Sequence, residues 1–316
     1  MIAITGSTGF VGKNLIFFLQ KNMIPFRAFS RKKKNGYYFI PDFSSKTNWS
    51  IPLKNIETIV HLASKVHCFG VNNKEEIDEF EEINVRATEN LVRSAALAGV
   101  KRFIFLSSIK VNGEYTKRNK PFCDFENDKP EGPYALSKKK AEIILRKICN
   151  ENNIELFIIR TPLIYGPYVK ANFLKLINLV EKGFPLPFGL INNERSICYV
   201  ENLVEFIYFL SKGKNINENQ FLFSDIEPIS TKKLISIIAS NLKSKTFLIP
   251  IPKMYLLRIC KIIGKYQEIT KLTDSLEIDS KRILFSTNFE IKYSSEEGIF
   301  KTIKWYLQNN QSILKN

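Results

Sequence analysis

Tyr134 and Lys138 are two residues whose types and spacing could carry acid–base chemistry. On a helix, a spacing of four places both side chains on one face. An ammonium group near a phenol stabilises the phenolate, so we expect the pKa of Tyr134 to be lowered toward neutrality. Ser108, in the Ser107-Ser108 pair that closes a predicted strand, is expected to bind the reacting oxygen. These residues predict a proton-transfer site.

Context distinguishes this pair from a second Tyr-x-x-x-Lys copy at Tyr208 and Lys212. Twelve tyrosines and a high lysine content make the spacing itself expected by chance. The copy at Tyr134 follows a glycine-rich loop and a serine-ended strand, which is the order that an active site on a dinucleotide-binding sheet requires. We therefore assign the chemistry to the first copy.

The glycine-rich loop follows a strand-like run at the N-terminus and opens a helix-like segment. Glycines at positions 6, 9 and 12 allow a sharp turn, a close approach of backbone amides to a pyrophosphate, and tight packing of the helix on the sheet. The sequence therefore predicts a dinucleotide site that includes Gly6, Thr8, Gly9, Phe10, Val11 and Gly12.

The end of the second predicted strand bears on the choice between NAD and NADP. Folds that prefer NAD usually place a carboxylate there for the ribose hydroxyls, but this chain has Ser30, Arg31 and Lys32 instead. These side chains could hold a 2′-phosphate, so the sequence favours NADP and leaves NAD open. Asp42 is expected to meet the adenine, and Leu62 and Ala63 to line the dinucleotide. His61 is interpreted as a packed or hydrogen-bonded structural residue.

The elements that must position these residues alternate between short β-rich runs and amphipathic stretches, as in βαβ units. The predicted strands are Ile2–Thr5, Phe26–Ser30, Tyr37–Ile40, Thr58–Leu62, Arg102–Ser107 and Leu156–Arg160. The predicted helices are Val11–Asn22, Ile77–Ala98, Tyr134–Asn152, Asn202–Ser211, Thr231–Asn241 and Lys253–Lys265. Because several strands are apolar on both faces, helices are expected on both sides. The predicted class is α/β, a Rossmann-type doubly wound parallel sheet with a smaller C-terminal α/β substrate lobe.

Two regions are expected along the chain. Residues 1–165 are predicted to form an NAD(P)-binding Rossmann domain, to which a segment near 196–225 returns. Residues 166–316 are predicted to form mainly the substrate-binding lobe. Ligands of open α/β sheets bind beyond the carboxyl ends of the strands, so this lobe is expected to cover that edge.

Composition narrows the possible partners. The net charge of +16 would attract polyanions, but the lysine runs are typical of solvated surface and no basic–aromatic stripe is present, so no nucleic-acid partner is expected. No apolar run reaches about 18 residues, and the N-terminus enters a strand directly, so we expect no membrane insertion and a cytoplasmic location. No metal site is expected, and the cysteines, which lack disulfide or zinc spacing, are interpreted as reduced thiols: Cys68, Cys123, Cys149, Cys198 and Cys260.

Several motifs together resemble one family. They are the glycine loop, His61-Leu62-Ala63, Asn84-Val85, Ser107-Ser108, Tyr134-x-x-x-Lys138 and Arg160-Thr161-Pro162. In this combination the chain resembles an extended short-chain dehydrogenase/reductase of the NAD-dependent epimerase/dehydratase family, over most of its length. The resemblance implies a nucleotide-activated sugar, specifically a UDP-sugar, as the substrate.

The resemblance also implies roles for individual residues. Ser108, Tyr134 and Lys138 would be the catalytic triad and contact the cofactor or substrate, with Asn84 supporting them. Asn84, Ser107 and Pro162 would also line the cofactor. Asn172 and Arg195 would contact the substrate's nucleotide diphosphate, for which the planar guanidinium of arginine is suited. A homodimer through Ile77–Ala98 and Tyr134–Asn152 is implied in the same way.

The family resemblance leaves more than one reaction open. The 4,6-dehydratases carry an Asp-Glu pair after the active-site serine or threonine, whereas this chain continues Ser108-Ile109-Lys110, so dehydration is not expected. We favour reduction of a UDP-4-keto-6-deoxy-N-acetylhexosamine for surface polysaccharide (O-antigen) synthesis. The alternative is a UDP-glucose or UDP-N-acetylglucosamine 4-epimerase that keeps NAD bound. An alternative of another class is a dinucleotide-sensing protein without catalysis.

Overall fold

The structure of the protein is a computed structural model. It describes residues 1–66, 74–117, 119–123, 128–213, 216 and 218–313. Cys68 lies outside these residues, whereas the other four cysteines are free thiols. No helix in the described part of the chain is long and apolar enough to cross a membrane.

Seven parallel strands form the main sheet, in the order β3-β2-β1-β4-β5-β6-β9. Their bounds are β1 (Ile2–Thr5), β2 (Phe26–Ser30), β3 (Tyr38–Phe39), β4 (Thr58–His61), β5 (Arg102–Ser108), β6 (Glu155–Thr161) and β9 (Gln220–Leu222). This is the order of a dinucleotide-binding Rossmann sheet extended by one strand. The six strands expected from the sequence are all present, although the third is shorter than predicted.

Helices cover both faces of this sheet. The helices are α1 (Phe10–Lys21), α2 (Lys74–Phe80), α3 (Ala87–Leu97), α4 (Gly132–Glu151), α5 (Ala171–Glu181), α6 (Val200–Lys212), α7 (Thr231–Leu242), α8 (Lys253–Ile262), α9 (Tyr266–Thr273), α10 (Lys281–Thr287) and α11 (Ser295–Ile313). A π-helical segment, Glu81–Arg86, joins α2 to α3. One core places α1 and α6 against residues such as Ile4, and the other places α3 and α4 against its neighbour Ala3. Adjacent strand residues thus point into opposite cores, which confirms the doubly wound class.

The later part of the chain builds a third core on a second, two-stranded parallel sheet. Its strands are β7 (Leu163–Tyr165) and β8 (Ile197–Tyr199). Their residues pack with α5, α7 and α11. After β8 the chain returns to the main sheet, because α6 covers one face and β9 pairs with β6. Ser108 ends β5 and Tyr134 lies in the first turn of α4, so the two predicted catalytic side chains stand at the carboxyl edge of the sheet.

Candidate active site

Ser108 and Tyr134 lie close together at this edge. The Ser108 hydroxyl is near enough to the Tyr134 phenol to lower its pKa by hydrogen bonding, and it accepts a hydrogen bond from the backbone N–H of Lys110 at 3.3 Å. A short 3₁₀ turn, Ile109–Val111, begins directly after the serine and holds its side chain as an N-cap. The structure therefore brings together the predicted oxygen-binding serine and the predicted proton donor.

Lys138 lies one turn further along α4 and is fully enclosed. Its Nζ atom donates a hydrogen bond to the Leu106 carbonyl oxygen at 2.8 Å and lies 4.4 Å from the centre of the Phe105 ring. Burial lowers the pKa of Lys138 to about 7, while the Glu142 carboxylate acts in the opposite direction. The amine is thus fixed against β5 and can change its charge near neutral pH.

The pKa of Tyr134 differs from the sequence-based expectation. Burial raises the pKa of its phenol to about 12, and the hydrogen bond from Ser108 offsets only part of this rise. The predicted lowering by Lys138 was wrong for this structure, because burial of the phenol is the main cause of the shift and the charge of Lys138 does not contribute to it. At neutral pH Tyr134 is therefore a protonated acid.

Glu142 is a buried carboxylate that the sequence analysis did not single out. It accepts hydrogen bonds from the Ser107 hydroxyl at 2.5 Å and from the Arg160 guanidinium, at 2.9 Å from Nε and 2.5 Å from Nη2. Glu142 and Arg160 are each 1% exposed. Glu142 follows Lys138 by four residues, as Lys138 follows Tyr134, so a search along the same helical face for a counter-charge would have found it. It joins α4 to β5 and β6 behind the predicted catalytic residues.

The buried guanidinium of Arg160 has further partners. Its Nη1 atom donates to the Asp128 carboxylate at 2.5 Å and to the Asn112 side-chain oxygen at 2.8 Å. In the β5–β6 register Arg160 lies opposite Ser107. Ser107, which was expected at the cofactor, therefore uses its hydroxyl hydrogen to hold Glu142.

The glycine loop is packed so closely that a side chain would not fit at Gly6, which faces the end of β4, or at Gly12. Gly6 has a φ of +66°, and a Cβ atom on it would lie 2.6 Å from both the Ala63 nitrogen and the Leu62 carbonyl carbon. A Cβ on Gly12 would collide with the Gly6 carbonyl oxygen and lie 2.7 Å from the Ser7 Cα atom. The predicted residues Leu62 and Ala63 are thus in contact with the loop, and the cradle predicted for a dinucleotide is present.

The first turn of α1 leaves its backbone N–H groups open to a ligand. Gly9 is the N-cap, has no side chain to cap the helix, and no acidic residue follows in the first turn. Thr8 is exposed, Phe10 half-buried and Val11 buried. Uncapped N–H groups at a helix N-terminus attract anions, so the loop and α1 fit the pyrophosphate of a nicotinamide dinucleotide.

Side chains at the end of β2 are held only locally. The Ser30 hydroxyl donates to the Lys32 carbonyl at 2.7 Å and accepts from the Lys32 N–H at 3.1 Å, while Arg31 is exposed. Asp42, expected near the adenine, is half-buried and accepts a hydrogen bond from the Ser44 hydroxyl. Arg31 and Lys32 are therefore the side chains at this strand end that extend into solvent and could reach a phosphate.

His61 is enclosed beneath the loop. Its two ring nitrogens lie 2.6 Å from the Thr5 hydroxyl and 2.9 Å from the Thr88 hydroxyl. Burial, with a smaller contribution from the charge of Lys138, lowers its pKa to about 3. The ring is neutral at physiological pH, as the structural interpretation of this residue requires.

Asn84 links two parts of the site. Its side-chain oxygen accepts from the Lys65 N–H at 2.8 Å, and its amide nitrogen donates to the Lys65 carbonyl at 3.0 Å and to the Ser137 hydroxyl at 2.9 Å. Asn84 is buried in the π-helical segment. It fixes the chain after β4 to α4, next to Lys138.

The remaining predicted contacts lie further along the chain. Arg195 is half-buried and donates to the Asp274 carbonyl at 2.8 Å. Asn172 is exposed in the first turn of α5, and Pro162 is buried after β6. Within the described residues, no hydrogen bond or ion pair joins Asn172 or Arg195 to the Tyr134 cluster.

A cavity of about 420 Å³ opens beside Arg195. Asp274, whose carbonyl Arg195 contacts, forms part of its wall. Tyr115, Leu190, Asn193 and Lys253 are among the other lining residues, so the cavity lies between the chain that follows β5 and the later part of the molecule. Its polar lining and adjacent guanidinium suit a charged, hydroxylated ligand.

The comparison with protein families decides the classification. The model of the NAD dependent epimerase/dehydratase family matches residues 2–221. The chain belongs to this family. The family expected from the motifs is thus confirmed. The Ser108, Tyr134 and Lys138 cluster is interpreted below as a site in a protein of this family.

Curated relatives cover almost the whole chain. A protein named UDP-glucose 4-epimerase, from Vibrio cholerae, is 37% identical over 315 residues, covering 98% of this chain and 96% of that protein. The dTDP-4-dehydro-6-deoxyglucose reductase of Escherichia coli is 26% identical over 326 residues, covering 96% of each chain. The chain is thus similar both to an epimerase and to a reductase.

Solved structures share the fold over nearly the full length. MoeE5 in complex with UDP-glucuronic acid and NAD has a TM-score of 0.76 at 20% identity, covering 98% of this chain and 99% of that one. The UDP-glucose 4-epimerase of Thermotoga maritima, solved with UDP-glucose, has a TM-score of 0.76 at 19% identity and the same coverage. These likenesses establish the architecture.

Proposed function

We propose that the protein transfers a hydride between C4 of a nucleotide-activated hexose and a nicotinamide dinucleotide. The observation that carries the proposal is the placement of Ser108 at the end of β5 beside the protonated phenol of Tyr134 in the first turn of α4, with Lys138 enclosed next to β5. A dinucleotide sensor without catalysis would not need these three residues together, so their presence argues against that alternative.

Each group of this chain has a separate task in that reaction. The loop from Gly6 to Gly12 and the open end of α1 would hold the pyrophosphate. The dinucleotide, when bound, supplies the hydride acceptor or donor. Ser108 would hold the C4 oxygen by a hydrogen bond, and the phenol of Tyr134 would give that oxygen a proton as hydride reaches C4. In the reverse direction, as hydride leaves C4, the Tyr134 phenolate would take the hydroxyl proton, so this direction first requires the phenol to lose its own proton.

The first candidate reaction is 4-epimerisation of a UDP-hexose with retained NAD. Similarity to the Vibrio cholerae protein named UDP-glucose 4-epimerase supports it, as does the NAD bound by structural neighbours such as MoeE5. The motifs favoured a reductase; the similarity over nearly the full length of that relative moves the epimerase to first place.

The second candidate is reduction of a 4-keto sugar nucleotide by an exchangeable NADP(H). The observation in its favour is the end of β2, where the exposed side chain of Arg31 stands in place of a ribose-binding acid. Similarity to the Escherichia coli dTDP-4-dehydro-6-deoxyglucose reductase supports the same reaction. We propose that residues 166–316, including Arg195 and the adjacent cavity, contact the nucleotide sugar in either case.

One assay separates the two candidates. Purified protein is incubated with UDP-glucose and with UDP-N-acetylglucosamine without added cofactor, and separately with a UDP-4-keto-6-deoxy-N-acetylhexosamine plus NADH or NADPH. The epimerase predicts the corresponding galacto products and no net consumption of nicotinamide. Oxidation of NADPH with no epimerised product would select the reductase, and the absence of both reactions would reject the proposed function.

We also propose a homodimer through α2, α3 and α4. The apolar side chains of Ile77 on α2 and of Leu136 and Ile143 on α4 are exposed, and Leu136 and Ile143 lie seven residues apart on one helical face. Light scattering after gel filtration is expected to give twice the chain mass, and Leu136→Glu/Ile143→Glu is expected to give the monomer. A monomeric wild-type protein would reject this assembly.

A further inference from the structure

Helix α8 carries apolar stripes on two sides. Leu256 and Cys260, one turn apart, are buried in the core that α8 shares with α5, α7 and α11. Tyr255, Ile259 and Ile262 form a second stripe with the i, i+4, i+7 spacing of one helical face. Their exposed fractions are 53%, 53% and 86%. A helix that packs against one core needs only the first stripe. The second stripe can therefore contact a surface outside this chain.

Apolar exposure continues on both sides of this stripe along the chain. Met254 precedes it, and Ile263 and Tyr266 follow it, all with about half of their surface in contact with solvent. Single exposed apolar side chains are ordinary on soluble proteins, whereas a connected group of this kind marks an interaction surface. We call Met254, Tyr255, Ile259, Ile262, Ile263 and Tyr266 the α8 surface.

Positive charge surrounds the α8 surface. Arg258, Lys261 and Lys265 are exposed between its apolar residues, and none of the three forms an ion pair within the described part of the chain. Lys253 differs, because its Nζ atom lies 2.6 Å from the Asp274 carboxylate. From Lys253 to Thr273 the sequence contains one acid, Glu268. The net charge of this segment is therefore positive.

We infer that the α8 surface docks the protein on a bilayer that contains anionic lipid headgroups. An interfacial helix buries an apolar stripe at the boundary between headgroups and acyl chains while adjacent lysines and arginines attract anionic lipid. A second copy of this chain is a poorer occupant. A two-fold contact through the same surface would bring the cationic set of Arg258, Lys261 and Lys265 on one copy close to the same set on the other, so that like charges repel.

The α8 surface lies next to the cavity beside Arg195. Lys253, the first residue of α8, lines the cavity of about 420 Å³ together with Leu190 and Tyr115. Docking through Tyr255 and Ile259 would hold the mouth of this cavity beside the lipid headgroups. This association is independent of the reaction proposed above, since it requires neither the dinucleotide nor Tyr134.

Vesicle flotation tests the inference with the full chain. Vesicles of pure phosphatidylcholine are compared with vesicles that also contain phosphatidylglycerol, at low and high salt. The expected result is binding to the anionic vesicles alone, weakened by salt because the charges are exposed. Ile259→Ser/Ile262→Ser is expected to reduce binding at least about tenfold, because the apolar area that enters the lipid is lost. Arg258→Glu/Lys261→Glu is expected to reduce it as well.

The control variant removes similar apolar area from other elements. Met23 and Phe285 are exposed by 91% and 87%, and Met23→Ser/Phe285→Ser is expected to bind vesicles like the wild type. All variants should keep the wild-type unfolding midpoint, because the changed residues lie on the surface. Absence of vesicle binding, binding that survives Ile259→Ser/Ile262→Ser, or self-association that this variant abolishes without any vesicle binding would overturn the inference.

Discussion

The two ends of the proposed cofactor crevice are built differently. At the chemical end, Lys138, Glu142 and Arg160 are buried and each is bonded to neighbouring strands or helices. At the ribose end, the Ser30 hydroxyl bonds to the backbone of Lys32, and Arg31 extends into solvent. The core therefore fixes the proposed proton donor before any ligand binds, whereas the proposed selection of the nucleotide depends on surface side chains.

The largest expected effect tests the chemical end directly. Tyr134→Phe removes the proton that the reaction requires, so we expect kcat to fall by about 10²–10⁴. Dinucleotide affinity, measured by titration calorimetry, is expected to stay near the wild-type value because the glycine cradle is untouched. The matched control is Tyr208→Phe, which alters the second Tyr-x-x-x-Lys copy and is expected to retain activity. Equal losses in the two variants would remove Tyr134 from its assigned role.

Glu142→Gln is expected to have the next largest effect. It leaves the buried guanidinium of Arg160 with less compensating charge, and breaking a buried ion pair costs about 3–5 kcal/mol of unfolding free energy. Burial already lowers the pKa of Lys138, and the Glu142 carboxylate opposes that shift, so the variant lowers the pKa further. If the ammonium form of Lys138 is the active one, kcat is expected to decline at a lower pH in the variant than in the wild type.

The pH profile separates this positioning role from a merely structural one. Unfolding in urea measures the loss of stability, and kcat measured across a range of pH gives the pH at which activity declines. Glu142→Asp, which keeps the charge, is expected to restore the wild-type position of the decline at reduced stability. A profile for Glu142→Gln that coincides with the wild-type profile would show that Glu142 acts on stability alone.

The fold was predictable where local patterns were strong. The first two strands were predicted with the bounds that the structure shows, because each is a short β-rich run ended by a turn or loop. The strands β7, β8 and β9 were missed, since three residues each are too few for a period-two pattern to stand out. The helices α5, α9, α10 and α11 were missed as well. Several of them pack against the third core through contacts distant in sequence.

The residues of the candidate site were more predictable from the sequence than their pKa values were. The Tyr134 and Lys138 spacing and the glycine loop are local signals. The pKa of Tyr134 depends instead on burial by the folded chain, and burial reversed the expected direction. Arg160 was noted only as part of a motif, because its partnership with Glu142 forms when α4 packs across β6.

The ribose end should respond to a single surface change. Arg31→Asp supplies the carboxylate that ribose hydroxyls require and removes a cation available to a 2′-phosphate. We expect the ratio of affinities for NADPH and NADH to shift by about 10–100-fold toward NADH, the scale of one charge-assisted hydrogen bond. Fluorescence titration with each cofactor measures the ratio. Lys21→Asp, the same charge change at the end of α1, is the control, and an equal shift there would mean that Arg31 does not select the cofactor.

The smallest effect concerns His61 beneath the loop. Burial holds the folded-state pKa near 3, below the ordinary value, so between about pH 6.5 and about pH 3 the unfolded chain binds a proton that the folded chain does not. Stability is complete above this window and is expected to fall by at most about 1.4 kcal/mol per pH unit within it. Urea unfolding of the wild type and of His61→Gln at about pH 7.5 and about pH 5.5 measures the difference. An equal decrease in both proteins would assign the acid sensitivity to other groups.

The most direct measurement follows the hydrogen at C4. UDP-hexose that carries deuterium at C4 is turned over by the protein, and the product, the nicotinamide and the solvent are examined by mass spectrometry. Because the proposed reaction moves this hydrogen as a hydride between the sugar and the cofactor, the deuterium is expected on the nicotinamide or again at C4 of the product. Release of the deuterium to water during turnover would contradict hydride transfer and, with it, the function proposed for the Ser108, Tyr134 and Lys138 site.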